Sequence, residues 1–418
     1  METFDLGVIG GGPAGYTAAL YAAKEGKSVV IFEKDELGGT CLNKGCIPTK
    51  LFLHAADVYN YIKNCDSIGL SCENVSFDFA KILEHKDKTV LKLRKSLELL
   101  IKNSKITVIK SEASIGDKNT IMADGIEYKC SQIVVCSGSK PREIKGLEFD
   151  HKFILNSDDI LNLSELPKKI VIVGSGAIGI EWTRILSSFD VEVTIIDLAK
   201  TLCPLADWEV SKRIERMFKM KKIKYYLETV ISKIDGNKIT LSNGVEIEAD
   251  CILSAVGREK IVPDNLSEGV SIIGDASAEI MLAHYAIHQA KNLILGIDFN
   301  KKLVPSVIYG TPEIAWIGEC MKTPEEETEK GYKKVVFPIS ALGKAHCDGN
   351  IDGFIKILAG GVDGKQIMGA HIISKEASAL IQQIVIAMQN NLTVDDLKKV
   401  CYAHPTYSEG IFESVMQL

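Results

Sequence analysis

Two cysteines, Cys41 and Cys46, lie close together in the segment GGTCLNKGCIPTK and could form a redox-active pair. Five residues of ideal helix would hold their Cα atoms at least roughly 7.5 Å apart, whereas a disulfide requires less than about 7 Å. A bridge therefore needs a bent segment, which Gly45 permits, and a constrained bridge of this kind is more easily reduced than a structural one. Two buried thiols beside a turn are the alternative interpretation. A zinc site is disfavoured, because no second close pair of cysteines or histidines completes four ligands.

The residues that follow the pair favour a thiolate at Cys46. Pro48 suits the first turn of a helix, which places Cys46 near the helix N-terminus, where the helix dipole stabilises a negative charge. Lys50 adds a cation one helical turn further on. The other cysteines are isolated in sequence, and buried packing is the expected role of each.

A repeated βαβ pattern indicates the elements that position this pair. The first copy has a strand at residues 4–9, the turn GGGPAG at 10–15, a helix at 14–24 and a strand at 28–32 that ends at Glu33. The second copy has a strand at 169–173, the turn GSGAIG at 174–179, a helix at 180–189 and a strand at 191–196 that ends at Asp197. The acidic residue lies 18 positions after the last glycine in both copies. Coincidence does not explain this agreement.

Each copy has the parts of a dinucleotide-binding site. The first glycine permits a tight turn, the second lets the backbone approach a pyrophosphate, and the third allows the helix to pack closely on the strand. The helix N-terminus favours phosphate, and the acidic residue accepts hydrogen bonds from ribose hydroxyls. Two glycine-rich structural turns are the alternative interpretation. Two nucleotide sites in one chain indicate two nucleotides that exchange electrons.

The remaining segments complete an α/β architecture. Helices are predicted at 47–63 and 79–103, a β-rich piece ends at 133–138, and β patterning covers 225–256. From about residue 302 the pattern predicts strands at 304–317, 333–339 and 354–358 and helices at 375–390 and 394–400. The sequence therefore predicts two Rossmann-like domains and a separate C-terminal α+β domain.

Composition narrows the function classes. The net charge is −6, with 46% apolar and 25% charged residues, which predicts a globular protein that binds neither nucleic acid nor a membrane. No apolar run reaches the roughly 18–20 residues needed to span a bilayer, and the N-terminus lacks a secretory signal. We therefore expect a cytoplasmic protein, in which eleven cysteines are not a structural disulfide framework.

The segment GGTCLNKGCIPTK closely resembles the redox-disulfide segment of the pyridine nucleotide–disulfide oxidoreductases, particularly the dihydrolipoamide dehydrogenases among them. The resemblance extends over nearly the whole chain. GGGPAG with Glu33 resembles the family's FAD site, GSGAIG with Asp197 its NAD site, and IGDA at 273–276 its second FAD motif. Residues 304–318 resemble the start of its dimerisation domain, and AHPTYSE at 403–409 its His–Glu segment. This implies an FAD-binding domain at 1–144 and 265–300, an NAD-binding domain at 145–264 and a dimerisation domain at 301–418.

The resemblance also implies roles for the redox pair. Cys41 would exchange with the substrate, and Cys46 would lie against the flavin as a thiolate. Lys50 would lie near the flavin and pair with Glu181 of the second repeat.

The acid–base group implied by the resemblance is His404, oriented by Glu409. In this family both come from the other subunit, so a homodimer is expected. Locally, residues 406–409 also fit a capping box, in which Glu409 would only close a helix start.

The resemblance implies two sets of cofactor-binding residues. The FAD set is Gly10, Gly12, Pro13, Ala14, Gly15, Glu33, Lys34, Gly39, Thr40, Lys50, Ala113, Ser137, Gly138, Gly274, Asp275 and Ala283. The NAD set is Gly174, Gly176, Ile178, Gly179, Asp197, Val230 and Gly257. Asp197 would repel a 2′-phosphate, which favours NAD over NADP. No metal is expected.

The implied activity is the oxidation of dihydrolipoyl groups to lipoyl disulfide with reduction of NAD⁺. The partner would be a lipoyl-bearing protein of a 2-oxoacid dehydrogenase, acetoin or glycine cleavage complex. The alternatives are a related reductase of another disulfide and an electron-transfer flavoprotein with impaired nicotinamide turnover. The electron-transfer alternative is favoured only by the connection from Arg258 to Gly274, which is shorter than in typical members of the family. A second departure from the family is Lys44, which stands where many relatives have an apolar residue.

Overall fold

The structure is a computed structural model that describes residues 2–117, 119–263, 266 and 269–418. Its strands are β1 (Glu2–Ile9), β2 (Val29–Phe32), β3 (Thr107–Ile109), β4 (Ala113–Ile115), β5 (Thr120–Ala123), β6 (Ile126–Val135), β7 (Ser139–Pro141), β8 (Ile154–Leu155), β9 (Lys169–Val173), β10 (Glu192–Ile196), β11 (Lys224–Tyr226), β12 (Ile231–Asp235), β13 (Lys238–Leu241), β14 (Glu246–Glu248), β15 (Cys251–Ser254), β16 (Arg258–Lys260), β17 (Ser271–Ile272), β18 (Ser306–Ile308), β19 (Glu313–Gly318), β20 (Lys333–Pro338), β21 (Phe354–Gly360) and β22 (Gln366–Ser374). Its α-helices are α1 (Pro13–Lys24), α2 (Gly39–Asn43), α3 (Cys46–Lys63), α4 (Phe79–Asn103), α5 (Ala177–Ser188), α6 (Trp208–Met220), α7 (Ala283–Leu295), α8 (Pro324–Lys330), α9 (Gly343–Cys347), α10 (Ala377–Gln389), α11 (Val394–Leu397) and α12 (Glu409–Val415).

The first glycine-rich turn joins β1 to α1 in a sheet of order β3-β2-β1-β6-β5-β4, with β17 also paired to β6. The strands β3, β2, β1 and β6 are parallel. All four residues of β2 are buried apolar residues, as expected for a parallel strand covered on both faces. The turn therefore lies at the carboxyl end of a central parallel strand, where open α/β sheets bind ligands.

The second glycine-rich turn has the same position in a second sheet. This sheet has the order β11-β10-β9-β15-β8, and all of its strands are parallel. The turn joins β9 to α5, so both copies of the repeat form the predicted strand–turn–helix–strand unit. The predicted fold class, two Rossmann-like units followed by an α+β domain, is confirmed. The predicted boundary between residues 264 and 265 lies outside the described residues.

The last part of the chain forms an antiparallel sheet of order β18-β19-β22-β21-β20, and α10 packs on β19 and β22. The single strand predicted at residues 304–317 is wrong, because the structure divides it into the hairpin strands β18 and β19. Gly310 between them has φ +124°, a conformation that favours glycine, and Pro312 follows a cis peptide bond and lacks an N–H donor. The conformation of Gly310 turns the chain back on itself.

A buried group of charges joins α6 to this last sheet. Lys356 on β21 is fully buried, and its Nζ lies 3.0 Å from Asp207 Oδ1, 2.7 Å from Glu209 Oε2 and 2.6 Å from Glu327 Oε1. Asp207 also caps α6 by accepting a hydrogen bond from the N–H of Glu209. The buried Lys356 ammonium therefore contacts three carboxylates from two other elements, and Lys334 adds a second cation at Glu327.

We expect Lys356→Met to lower the apparent free energy of unfolding by about 3–5 kcal/mol, because it leaves buried carboxylates without their cation. Urea titration followed by far-UV circular dichroism measures this change. Lys334→Met is the matched control, because Lys334 pairs with the same Glu327 but is 40% exposed. Its loss should cost about 1 kcal/mol or less. Equal losses for the two variants would contradict the assignment of the stabilisation to burial.

Within the part of the chain that the structure describes, no helix is both long and apolar enough to cross a bilayer.

Candidate active site

A cavity of about 2580 Å³ extends from the first glycine-rich turn to the second. Every predicted cofactor-binding residue lines it except Gly15 and Gly179. Cys41, Cys46 and Glu181 line the same cavity. The fold therefore brings the thiol pair and residues of both nucleotide motifs to one continuous space.

The two exceptions, Gly15 and Gly179, face the glycine-rich turns before their own helices. A Cβ atom on Gly15 would lie 1.9 Å from the carbonyl oxygen of Gly10, and one on Gly179 would lie 1.9 Å from that of Gly174. Each glycine thus lets its helix pack against its own turn and does not itself face the cavity.

The redox pair lies where two helices meet. Cys41 is in α2, the backbone bends at residues 44–45, and Cys46 is the first residue of α3. Both are free, partly buried thiols in hydrogen-bonding contact. The hydrogen bond from Cys41, aided by the Lys50 ammonium, lowers the pKa of Cys46 to about 7 against the effect of burial. The same hydrogen bond, together with burial, raises the pKa of Cys41. Cys46 is therefore the thiol that ionises first.

Lys50, also on α3, is held by residues from two other parts of the chain. Its Nζ lies 2.9 Å from Glu181 Oε2 on α5 and 4.5 Å from the centre of the Tyr309 ring. The Tyr309 N–H donates to Glu181 Oε1 at 3.0 Å, and Arg184 Nη1 donates to the Tyr309 carbonyl at 2.9 Å. The predicted Lys50–Glu181 pair is present. Tyr309 and Arg184 were missed, because only the tertiary fold brings the turn after β18 to α5.

We expect Lys50→Met to raise the pKa of Cys46, because the variant removes the cation that stabilises the thiolate. The rate of alkylation by iodoacetamide against pH measures the change in the reduced protein. Lys44→Met is the matched control. Lys44 lies between the two cysteines in sequence, but its ammonium pairs with Asp35. An unchanged profile for Lys50→Met, or an equal shift for Lys44→Met, would contradict the specific role of Lys50.

The acidic residues that close the two repeats have equivalent hydrogen bonds. Glu33 Oε2 accepts from the N–H of Gly11 at 2.6 Å, and Asp197 Oδ2 accepts from the N–H of Ser175 at 2.6 Å. Each carboxylate is therefore fixed against the glycine-rich turn of its own repeat. The equal sequence spacing already predicted this equivalence, although not the bond to the second residue of each turn.

A second polar group holds the motif at residues 273–276. Asp275 Oδ2 accepts from Ser139 Oγ at 2.6 Å, and Ser139 in turn accepts from Arg258 Nε at 2.8 Å. The N–H of Gly274 donates to the buried Gln289 side chain at 2.7 Å. Ser139 and Arg258 lie on the paired strands β7 and β16, so this short ribbon orients Asp275. Neither Ser139 nor Gln289 was predicted from the sequence to take part in the site.

His404 and Glu409 form a pair at the surface, away from the cavity of their own chain. His404 Nδ1 lies 2.7 Å from Glu409 Oε1, and the His404 side chain is 78% exposed. Hydrogen bonds from His404 and from the N–H of Thr406 lower the pKa of Glu409. The capping box considered at residues 406–409 forms only in part. The Thr406 N–H donates to Glu409, but the Thr406 hydroxyl donates to the Ala403 carbonyl, and α12 begins at Glu409.

The prediction that the remaining cysteines are all buried is also wrong. Cys72, Cys347 and Cys401 are exposed, and Cys320 is partly buried. Cysteine has a small apolar side chain, which favours burial in general. Whether a given cysteine is buried depends on the face of the loop or helix on which it lies.

Comparison with known proteins gives one consistent family. The family model described as pyridine nucleotide-disulphide oxidoreductase matches residues 4–267, and the model of its dimerisation domain matches residues 304–415. The chain is 35% identical to the mitochondrial dihydrolipoyl dehydrogenase of Pisum sativum, over 99% of this chain and 91% of that protein. It is 34% identical to the dihydrolipoyl dehydrogenase of Chlorobaculum parvum, over 98% of this chain and 96% of that protein. The crystal structure of LpdA from Mycobacterium tuberculosis has a similar fold, with a TM-score of 0.89 and 21% identity over 100% of this chain and 99% of that chain. The two family models, which together match most of the chain, show that this chain belongs to the pyridine nucleotide-disulphide oxidoreductase family.

Proposed function

We propose that this protein is a dihydrolipoyl dehydrogenase, which oxidises dihydrolipoyl groups to lipoyl disulfide and reduces NAD⁺ to NADH. The observation that carries the proposal is the Cys41–Cys46 pair at one cavity with both nucleotide motifs. Curated dihydrolipoyl dehydrogenases that match nearly the whole chain support the same activity. The cofactors are FAD and NAD.

The residues of the first nucleotide motif fit FAD. A Cβ atom on Gly39 would lie 2.7 Å from Gly12 Cα, so two glycine backbones pass each other closely and leave a surface that a pyrophosphate can approach. Glu33 is positioned for the adenosine ribose, and Asp275 lines the same cavity. When bound, FAD supplies a two-electron carrier between the thiols and the nicotinamide.

The thiol chemistry assigns different tasks to the two cysteines. A substrate thiolate attacks Cys41 of the oxidised pair, the Cys41–Cys46 bond breaks, and Cys46 leaves as a thiolate. The second substrate thiol then attacks the mixed disulfide, which releases lipoyl disulfide and leaves Cys41 reduced. Lys50 stabilises the charge on Cys46, and the low pKa of Cys46 makes it the better leaving group.

Proton transfer in this cycle is assigned to the partner subunit's His404, with Glu409 holding Nδ1 so that Nε2 is free to accept the proton. His404 is exposed and does not line the cavity of its own chain, which supports an action across a dimer interface. The matched dimerisation domain supports a homodimer.

The second motif is assigned to NAD. Asp197 would hold the adenosine ribose of NAD, and its carboxylate would repel the 2′-phosphate of NADP. The proposed domain limits are those predicted from the sequence. The FAD-binding domain covers residues 1–144 and 265–300, the NAD-binding domain residues 145–264, and the dimerisation domain residues 301–418. The ribbon of β7 and β16, which joins the two nucleotide units close to those limits, supports them.

The finer biological assignments are also proposals. A lipoyl-bearing protein of a 2-oxoacid dehydrogenase, acetoin or glycine cleavage complex is the proposed partner, because a protein-bound lipoyl arm is the substrate of such an enzyme. A cytoplasmic location is also proposed, because eleven cysteines outside any structural disulfide framework fit a reducing compartment.

Anaerobic mixing of the holoprotein with dihydrolipoamide and NAD⁺, followed by NADH absorbance, tests the proposal. We expect NADH to form, and much less NADPH to form when NADP⁺ replaces NAD⁺. Glutathione disulfide and coenzyme A disulfide, each with NADH, serve as competing substrates. Turnover of either of them without dihydrolipoamide activity would replace the proposal by a related disulfide reductase. A flavin that dithiols reduce but NADH does not would indicate an electron-transfer protein instead.

A further inference from the structure

A second pair of thiols lies at the connection between α3 and α4. Cys65 begins the short 3₁₀ turn Cys65–Ile68, directly after α3 ends, and Cys72 lies on the loop that leads to α4. Both cysteines are isolated in sequence, with six residues between them. Their contact arises only from the path of this loop.

The loop folds back on Cys65 through three local hydrogen bonds. Gly69 has φ +80°, and its N–H donates to the Asp66 carbonyl at 3.0 Å. The N–H of Leu70 donates to the Cys65 carbonyl at 3.1 Å, and the Cys65 thiol donates to the Leu70 carbonyl at 3.6 Å. This turn returns the chain toward Cys65, and the Cys72 thiol comes near enough that it adds to the effect of burial in raising the pKa of Cys65.

The two thiols differ in accessibility. Cys65 is only 7% exposed, whereas Cys72 is exposed to solvent. An oxidant from solution therefore reaches Cys72 first, and the buried thiol is already beside it. This is the arrangement of an attacking cysteine next to a resolving cysteine.

We propose that Cys65 and Cys72 form a second dithiol–disulfide couple, separate from the catalytic pair, that is oxidised by low-molecular-weight disulfides. The Cys72 thiolate attacks one sulfur of the small disulfide, which forms a mixed disulfide and releases one small thiol. Cys65 loses its proton to solvent and attacks Cys72 Sγ, which forms the Cys65–Cys72 bond and releases the second small thiol. The protein loses two electrons and two protons, and the small disulfide gains them.

The bridge would act on the helix that carries the catalytic thiolate. Cys46 begins α3, and Cys65 lies just beyond its other end. The bond would close the loop of residues 65–72 and tie the end of α3 to the chain entering α4. The oxidised connection should therefore open less often than the reduced one.

The test uses the holoprotein of the double variant Cys41→Ser/Cys46→Ser, so that the catalytic thiols do not contribute. After incubation with oxidised glutathione, intact mass should show the loss of two hydrogen atoms, and peptide mapping should place the bond between Cys65 and Cys72. Adding Cys65→Ser should stop the reaction at a glutathione adduct on Cys72. Wild-type protein mapped in the same way keeps the test valid if the double variant does not fold.

Cys347 provides the matched control, because it is exposed on α9 and can acquire only an adduct by the proposed reaction. Cys347→Ser should leave formation of the Cys65–Cys72 bond unchanged. Cys65→Ser and Cys72→Ser should both retain NADH formation, because neither residue lines the catalytic cavity. A persistent glutathione adduct on Cys72 while Cys65 is present, or no reaction at either residue, would overturn the proposal.

Discussion

Serine in place of Cys46 is expected to reduce NADH formation from dihydrolipoamide by about three orders of magnitude or more. The variant cannot form the oxidised pair, so the substrate has no disulfide to attack, and the thiolate stabilised by Lys50 is lost. Cys41→Ser should lose the same activity, because it removes the sulfur that the substrate thiolate attacks. The initial rate of NADH absorbance with saturating dihydrolipoamide measures both losses.

A second measurement separates thiol chemistry from general damage to the cofactor sites. Reduction of a one-electron dye by NADH requires both nucleotide sites but no disulfide, so both serine variants should retain it. Cys136→Ser is a suitable control, because Cys136 also lines the cavity but is buried and has its pKa raised by burial. That variant should keep lipoamide activity. Normal lipoamide turnover by Cys41→Ser would remove the exchange role.

The sequence was sufficient for features that depend on neighbouring residues. A strand, a glycine-rich turn and a helix form one local unit, so their order predicts both nucleotide folds. The equal spacing from Gly15 to Glu33 and from Gly179 to Asp197 predicts that the two carboxylates reach equivalent positions. The bend between the cysteines was predicted for a similar reason, because disulfide geometry requires it.

Features that depend on distant residues were not predictable in the same way. The strand β22 is buried along nearly its whole length and contains Gly369 and His371, so no alternation of polar and apolar residues marks it. Arg184 and Tyr309 are 125 positions apart, and nothing in either segment indicates their hydrogen bond. The contact between Cys65 and Cys72 likewise depends on the turn at Gly69, where only a single glycine signals the reversal.

The His404–Glu409 pair gives the second large expected effect. His404→Gln should lower lipoamide activity by about 10²–10⁴-fold, because the variant removes the group that is proposed to accept the substrate proton. Glu409→Gln should cause a smaller loss, because a glutamine oxygen can still accept from Nδ1 but no longer carries the charge that stabilises a protonated ring. Steady-state rates with dihydrolipoamide, beside unchanged dye reduction by NADH, measure both. A His404→Gln variant with full activity would remove the proton-transfer role.

Mixed dimers test whether His404 acts across the interface. Cys41→Ser and His404→Gln chains are each expected to be inactive as homodimers, but a dimer with one chain of each kind combines an intact thiol pair from one subunit with an intact histidine from the other. Each mixed dimer then has one complete site of two. Random mixing of dissociated chains makes half of the reassociated dimers mixed. About a quarter of wild-type activity should therefore return. If His404 served the thiols of its own chain, both sites of the mixed dimer would lack one group and no activity would return. The 78% exposure of His404, outside the cavity that holds its own cysteines, favours the first outcome.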